Sequence, residues 1–121
     1  MGDDLTEKII GAAIEVHRVL GSGLLESIYE EALCHEFTLQ DIPFQRQLAV
    51  DVIYKDKVIR GQRLDIVAFG EIVVEIKSVR DLTEAVTAQM LSYLKATGFK
   101  RGLVINFGAR RLIDGMKRIS L

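Results

Sequence analysis

The chain has 121 residues, 49% hydrophobic and 27% charged, which is enough for one buried core and reads as one domain over 1–121. Its one cysteine, Cys34, excludes an internal disulfide and a cysteine-held zinc, and no apolar run approaches the ~18–20 residues of a membrane span. The formal net charge is −1 but unevenly spread: residues 1–40 hold eight acids and two bases, whereas 95–121 hold one acid, Asp114, and seven bases.

The acidic start, Met1-Gly2-Asp3-Asp4, lacks the basic-then-apolar layout of a signal peptide, so the expected location is the cytoplasm, with no membrane partner. Leu5, Ile9, Ala13, Val16 and Leu20 recur at helical spacing. Gly21-Ser22-Gly23 breaks that helix. A second is expected over about 23–40 with Leu24, Leu25, Ile28, Ala32, Leu33 and Phe37 inward, and Pro43 marks its exit. Residues 47–54 alternate, placing Leu48, Val50, Val52 and Tyr54 on one face of a half-buried strand. Asp56-Lys57 is the expected turn into a strand that begins near Val58 and carries Asp65. A third strand follows a turn near Gly70. Thr83 is expected to cap a helix that runs to about Thr97, with Gly98 just past its end. Leu103–Phe107 reads as a short strand, followed by a turn or short helical stretch and an edge strand over Met116–Leu121. The order is α-α-β-β-β-α-β-β. It predicts an α/β sandwich on a mixed sheet, with a parallel crossover through the 83–97 helix.

The candidate chemistry lies in the hairpin Arg63–Lys77. If Asp65 sits opposite Glu75, then Leu64 faces Ile76, Ile66 faces Val74 and Ala68 faces Ile72, all on one side. Asp65, Glu75 and Lys77 share the other side, with Arg63 opposite Lys77. A slip of one residue destroys that sorting. Directly opposed residues have Cβ atoms about 4.5–5.5 Å apart, and like charges there are destabilising. A divalent cation resolves the conflict, since Mg²⁺ is held by one or two carboxylates plus waters and phosphate oxygens. Lys77 then helps position or activate an attacking water. Against this, Glu-x-Lys occurs in many soluble strands, where the lysine merely neutralises the glutamate.

Gln89 and Tyr93, four apart on the 83–97 helix, share a face from which they could hold a phosphate, a base or the lysine. Solvation of Gln89 and core packing of Tyr93 explain them equally. Glu26 in the first turn of the second helix is favoured by the helix dipole, with or without a function. Tyr29 follows near the same face. His17 reads as a core or interface residue and Cys34 as a small buried hydrophobe. The basic C-terminal third either meets a polyanion or balances the acidic N-terminal end.

Gly23-x-x-Glu26-x-x-Tyr29 resembles the signature of the GxxExxY family, small proteins of the PD-(D/E)XK nuclease superfamily. The resemblance runs from about Ile9 to Arg118. It takes in Glu15-Val16-His17, Gln47, Arg63-Leu64-Asp65, Val74-Glu75-Ile76-Lys77, Gln89-x-x-x-Tyr93-Leu94 and Gly102–Phe107. Leu64 stands where the superfamily name has a proline. The resemblance implies a restriction-endonuclease-like αβββαβ core, with a mixed central sheet flanked by helices. It also implies a Mg²⁺-dependent nuclease (Mn²⁺ as substitute) that hydrolyses DNA phosphodiesters. By that likeness Glu26, Asp65, Glu75 and Lys77 are the catalytic residues, Asp65, Glu75 and Glu26 the metal-holding acids, and Gln89, Tyr93 and Arg63 the substrate contacts. Two alternatives stand beside it: an inactive module that binds nucleic acid or a protein partner, and a dimeric junction resolvase. So short a chain leaves little room for a specificity domain, so a homodimer or a larger protein partner is expected.

Overall fold

The structure, a computed structural model, describes residues 3–121; Met1 and Gly2 of the acidic start lie outside the described residues. Helix α1 (Asp3–Leu20) buries Ile9, Ala12, Ala13 and Val16 along one stripe. It stops where Gly21 turns left-handed (φ 70°) and its N–H bonds the His17 carbonyl at 2.8 Å. Helix α2 spans Glu26–Leu39, not 23–40, because Gly23 is left-handed (φ 103°) and Leu25 is extended. Its buried stripe is therefore Tyr29, Glu30, Leu33, Cys34 and Phe37. Leu24, Leu25 and Ile28, expected inward, are exposed.

Strands β1 (Phe44–Tyr54) and β2 (Lys57–Ala68) form a long antiparallel hairpin. Tyr54 pairs with Lys57, so the turn is Lys55-Asp56, one residue earlier than expected. Both turn residues have positive φ (45° and 70°), the two-residue turn whose twist matches that of the strands. The distal part is an arm: every residue from 51 to 63 is exposed, including Val52, Ile53, Tyr54, Val58 and Ile59. The half-buried strand read over 47–54 is thus inward only as far as Val50.

Strand β3 (Ile72–Lys77) returns beside β2, helix α3 (Glu84–Thr97) crosses over, and β4 (Arg101–Asn106) lies parallel to β3. Thr83 is the N-cap residue of α3 but makes no side-chain capping bond, and left-handed Gly98 closes its end. The 3₁₀ turn η1 (Leu112–Gly115) leads into β5 (Met116–Ser120), antiparallel to β4. The sheet order is β1-β2-β3-β4-β5. This is the mixed five-stranded sheet flanked by helices that was expected.

Two cores sandwich the sheet. On one face Ile66, Ala68, Ile72, Val74, Ile76, Leu103 and Ile105 pack under α1 and α2. On the other, Val67, Val73, Val104 and Ile119 pack under Met90, Tyr93 and Leu94 of α3. Strands buried on both faces read as near-continuous apolar runs, as Ile72–Val74 of β3 and Leu103–Ile105 of β4 do. Leu64 corrects the expected sorting: it packs in the α3 core, with Val67 and Val73. The β2–β3 ladder ends at Ile66/Val74, and Leu64 pairs instead with Leu48, which also packs toward that core. Gln47, just before Leu48, is left-handed (φ 52°), which breaks the regular strand geometry of β1 beside this pair.

Candidate active site

The β2–β3 register is Ile66↔Val74 and Ala68↔Ile72, as the alternation requires. Extended by one residue it sets Asp65 against Glu75. There the backbone ladder gives way to a side chain: Asp65 Oδ2 accepts the Ile76 N–H at 2.9 Å. The parallel ladder adds Glu75↔Val104 and Lys77↔Asn106. Since Val73 and Val104 lie in the α3 core, alternation puts Glu75 and Lys77 on the α3 face of the sheet.

Glu75 is only 8% exposed. Its Oε2 lies 3.7 Å from Lys77 Nζ, and its Oε1 is buried with no hydrogen-bond partner among the described residues. Burial, then the charge of Asp65, pushes the Glu75 carboxyl up to about 7, against the pull of Lys77. Asp65 is also raised, first by burial, with the Ile76 N–H opposing and the charges of Glu30 and Glu26 adding to the shift. Buried polar atoms in folded proteins nearly always find a partner, so the bare Oε1 marks a place built to meet something.

Glu26 approaches from the start of α2, where its Oε2 accepts the Ser78 N–H at 3.4 Å. Ser78 also donates from Oγ to the Leu24 carbonyl at 2.6 Å. The loop that carries Leu24 is held by Tyr29, whose hydroxyl donates to the Gly21 carbonyl at 2.5 Å and accepts the Leu24 N–H at 3.2 Å. The Tyr29 ring is fully buried and stacks on Phe107, centroids 4.5 Å apart. Gly23, Glu26 and Tyr29 therefore act as one device: the glycine turns the loop, the tyrosine pins it, and the glutamate reaches the end of β3. Tyr29→Phe is expected to lower stability by about 1–2 kcal/mol in denaturant unfolding, because it strands the Leu24 N–H and the Gly21 carbonyl. A variant as stable as wild type would show that the pin is idle.

Tyr93 is buried on α3 with its phenol raised, first by burial and then by the charges of Glu75 and Asp65, so the ring lies within their field. Gln89, one turn earlier, is exposed. Arg63 is not across from Lys77: it pairs with Ala49 at the base of the exposed arm, beyond the end of the β2–β3 ladder. His17 bonds the Ala109 carbonyl at 2.9 Å and tilts against Phe107, a packing role. Cys34 is buried, and burial pushes its thiol up to about 11.

Sequence reading missed three residues. Glu30 is buried and receives Arg46 Nη2 at 2.9 Å and Gln47 Nε2 at 3.0 Å. Ser78 joins α2 to β3. Asn106 accepts the Val79 and Gly108 N–H groups on Oδ1, each at 3.0 Å, and donates to the Val79 carbonyl at 2.9 Å, which fixes the chain just beyond Lys77. No spacing signalled these; the partners of Glu30 are 16 and 17 residues away and those of Asn106 reach 27.

Asp65 and Glu75 form a hard oxygen pair with one unmet carboxylate oxygen, which fits a cation such as Mg²⁺. Glu26 is turned toward Ser78, and among the described residues no three His, Cys, Asp or Glu side chains gather as a metal site. The expected set of three acids therefore stands as a facing pair with a charged neighbour.

A buried glutamate facing a half-buried aspartate, with a lysine at the end of a parallel strand on an αβββαβ sheet, defines a nuclease-type fold. The profile of the PD-(D/E)XK nuclease superfamily matches residues 3–119, and the chain belongs to that superfamily. Comparison with curated proteins and with solved structures gave no match. Among the described residues no helix is long and apolar enough to cross a membrane.

Proposed function

We propose that the protein is a divalent-metal-dependent nuclease of the GxxExxY type that hydrolyses DNA phosphodiesters. The observation that carries this reading is the bare, buried oxygen of Glu75, set against Asp65 and beside Lys77. Asp65 and Glu75 are the residues that would hold Mg²⁺, with Mn²⁺ as substitute, and Glu26 would add its negative charge to theirs. The bound ion supplies Lewis acidity toward a phosphoryl oxygen. Lys77 orients the attacking water and offsets negative charge gathering on the phosphate. Tyr93 walls the acids from solvent, while exposed Gln89 on the same helix and Arg63 at the root of the arm contact the strand.

The test is a cleavage assay on linear, nicked, branched and single-stranded DNA and on RNA, with Mg²⁺, Mn²⁺ or chelator. DNA cut with metal and intact with chelator is the expected result. DNA that is bound but uncut under either ion would favour the second reading, an inactive nucleic-acid-binding module.

A further inference from the structure

Where β3 and β4 end lies a cavity of about 400 Å³, lined by none of Asp65, Glu75 and Lys77, that no part of the proposed chemistry uses. Asn106, the strand partner of Lys77, forms its inner wall. Arg80 enters from the segment just past β3, Arg110 from the turn after β4, and Lys117 from β5. Lys117 pairs with Val104, which pairs with Glu75, so the lysine lies in the same cross-strand row as the acid and on the same face. Two strand spacings separate them, about 10 Å between backbones. The crevice outside the carboxyl ends of parallel strands is also where open α/β sheets bind ligands.

The sequence left the seven C-terminal bases as one undivided charge. The structure divides them. Arg101 is bound to Glu71 at 2.6 Å, and Arg118 is paired with Glu7 of α1. Arg111 lines a different hollow, against Ile14 and Arg18 of α1. Of the seven, only Arg110 and Lys117 line this cavity, where Arg80 joins them. Two carboxylates share the cavity, Asp81 and Asp114, so its charged side chains are three cations and two anions. Asp81 meets Arg80 at 3.7 Å with both side chains almost fully exposed, a contact too weak to hold the guanidinium away from a ligand.

The geometry points to Arg80, Arg110 and Lys117 as a cradle for internal phosphodiesters of the bound nucleic-acid strand, placed to hold the stretch next to the scissile bond. Arginine forks match phosphate oxygens in pairs and lysine adds a point charge. Asn106 gives the cradle a fixed floor by tying Val79 to β4, so that Lys77 and Arg80 keep one spacing. The assignment rests on the nuclease reading and deepens it: it names the side chains that set where the strand lies.

The test is binding of a fluorescein-labelled DNA duplex, read by anisotropy in chelator so that nothing is cut, between about 50 and 200 mM salt. Each phosphate contact contributes about 0.9 to the slope of log affinity against log salt. The triple variant R80Q/R110Q/K117Q should bind at least about tenfold more weakly at the low-salt end and lose about 2–3 from that slope. The charge-keeping triple R80K/R110K/K117R should recover most of the slope, which separates lost phosphate contacts from a damaged fold. Lys8→Gln, on α1 across the sheet, should match wild type. A Gln triple with wild-type affinity and slope, against a wild type that binds and cuts, overturns the cradle alone. A wild type that binds no DNA overturns the nuclease reading and the cradle with it.

Discussion

Replacing Glu75 with glutamine should stabilise the metal-free protein at pH 8 and abolish its response to Mn²⁺. The Glu75 carboxyl is raised from its ordinary 4.5 to about 7 by burial and by Asp65. Between those values the folded chain binds more protons at this group than the unfolded chain, so stability falls as pH rises. The stabilising contribution is whole below about 4.5 and gone above about 7. Glutamine keeps the shape and removes the titration, so the variant loses this slope. The difference at pH 8 is up to about 3 kcal/mol, from 1.36 kcal/mol per pKa unit. Asp65, raised by the same cause, adds a slope of the same sign that the variant keeps in weaker form. Thermal melts across pH 4–8 read the effect. Mn²⁺ should raise the midpoint of wild type at pH 8, because a ligand held by the folded state alone stabilises it. It should leave the variant unmoved, and calorimetry should show the loss of binding directly. Equal Mn²⁺ affinity in the two proteins would remove Glu75 from the metal site.

Lys77→Ala should bind Mn²⁺ and yet fail to cut DNA. The ammonium lies 3.7 Å from Glu75 Oε2, too far to be a tight structural pair and near enough to lower the carboxyl's proton affinity. Without it the Glu75 carboxyl rises further, so Mn²⁺ binding should persist but require higher pH. Cleavage with Mn²⁺ saturating should drop by about 10²–10³-fold, the scale for losing one donor to developing charge. The split between retained metal and lost turnover is the discriminating feature. If the variant cuts like wild type, the lysine is only a counter-ion. If it loses metal as well, its role is to hold Glu75 ionised.

Much of this arrangement was readable from alternation. Asp65 and Glu75 are joined by a short hairpin, and their neighbours on β2 and β3 leave one register that keeps apolar side chains inside. The order of elements followed from periodicity and from Gly21, Pro43 and Gly98. Alternation failed where strands stop being independent of their neighbours. Leu64 lies past the end of the β2–β3 ladder and pairs with Leu48 beside left-handed Gln47, and no feature of Leu64 itself reports that change. The start of α2 is not legible because Leu24 and Leu25 look like core residues, whereas Gly23 keeps the loop out of helical geometry until Glu26. Glu30, Ser78 and Asn106 are silent in the sequence for a different reason. Their roles lie in hydrogen bonds to distant backbone and side chains, and a single polar residue carries no period.

The exposed arm over 51–63 has a consequence for how the molecule breathes. Its backbone bonds are internal to the hairpin and its apolar side chains belong to neither core, so opening it leaves both cores intact. Its amides should exchange with solvent through local fraying, whereas those of β3 and β4 wait for global unfolding. The border between these regimes falls at Leu64, where burial resumes, one residue before Asp65. The first carboxylate of the pair therefore stands at the edge of the slowest-exchanging part of the sheet, and the arm can loosen without moving it.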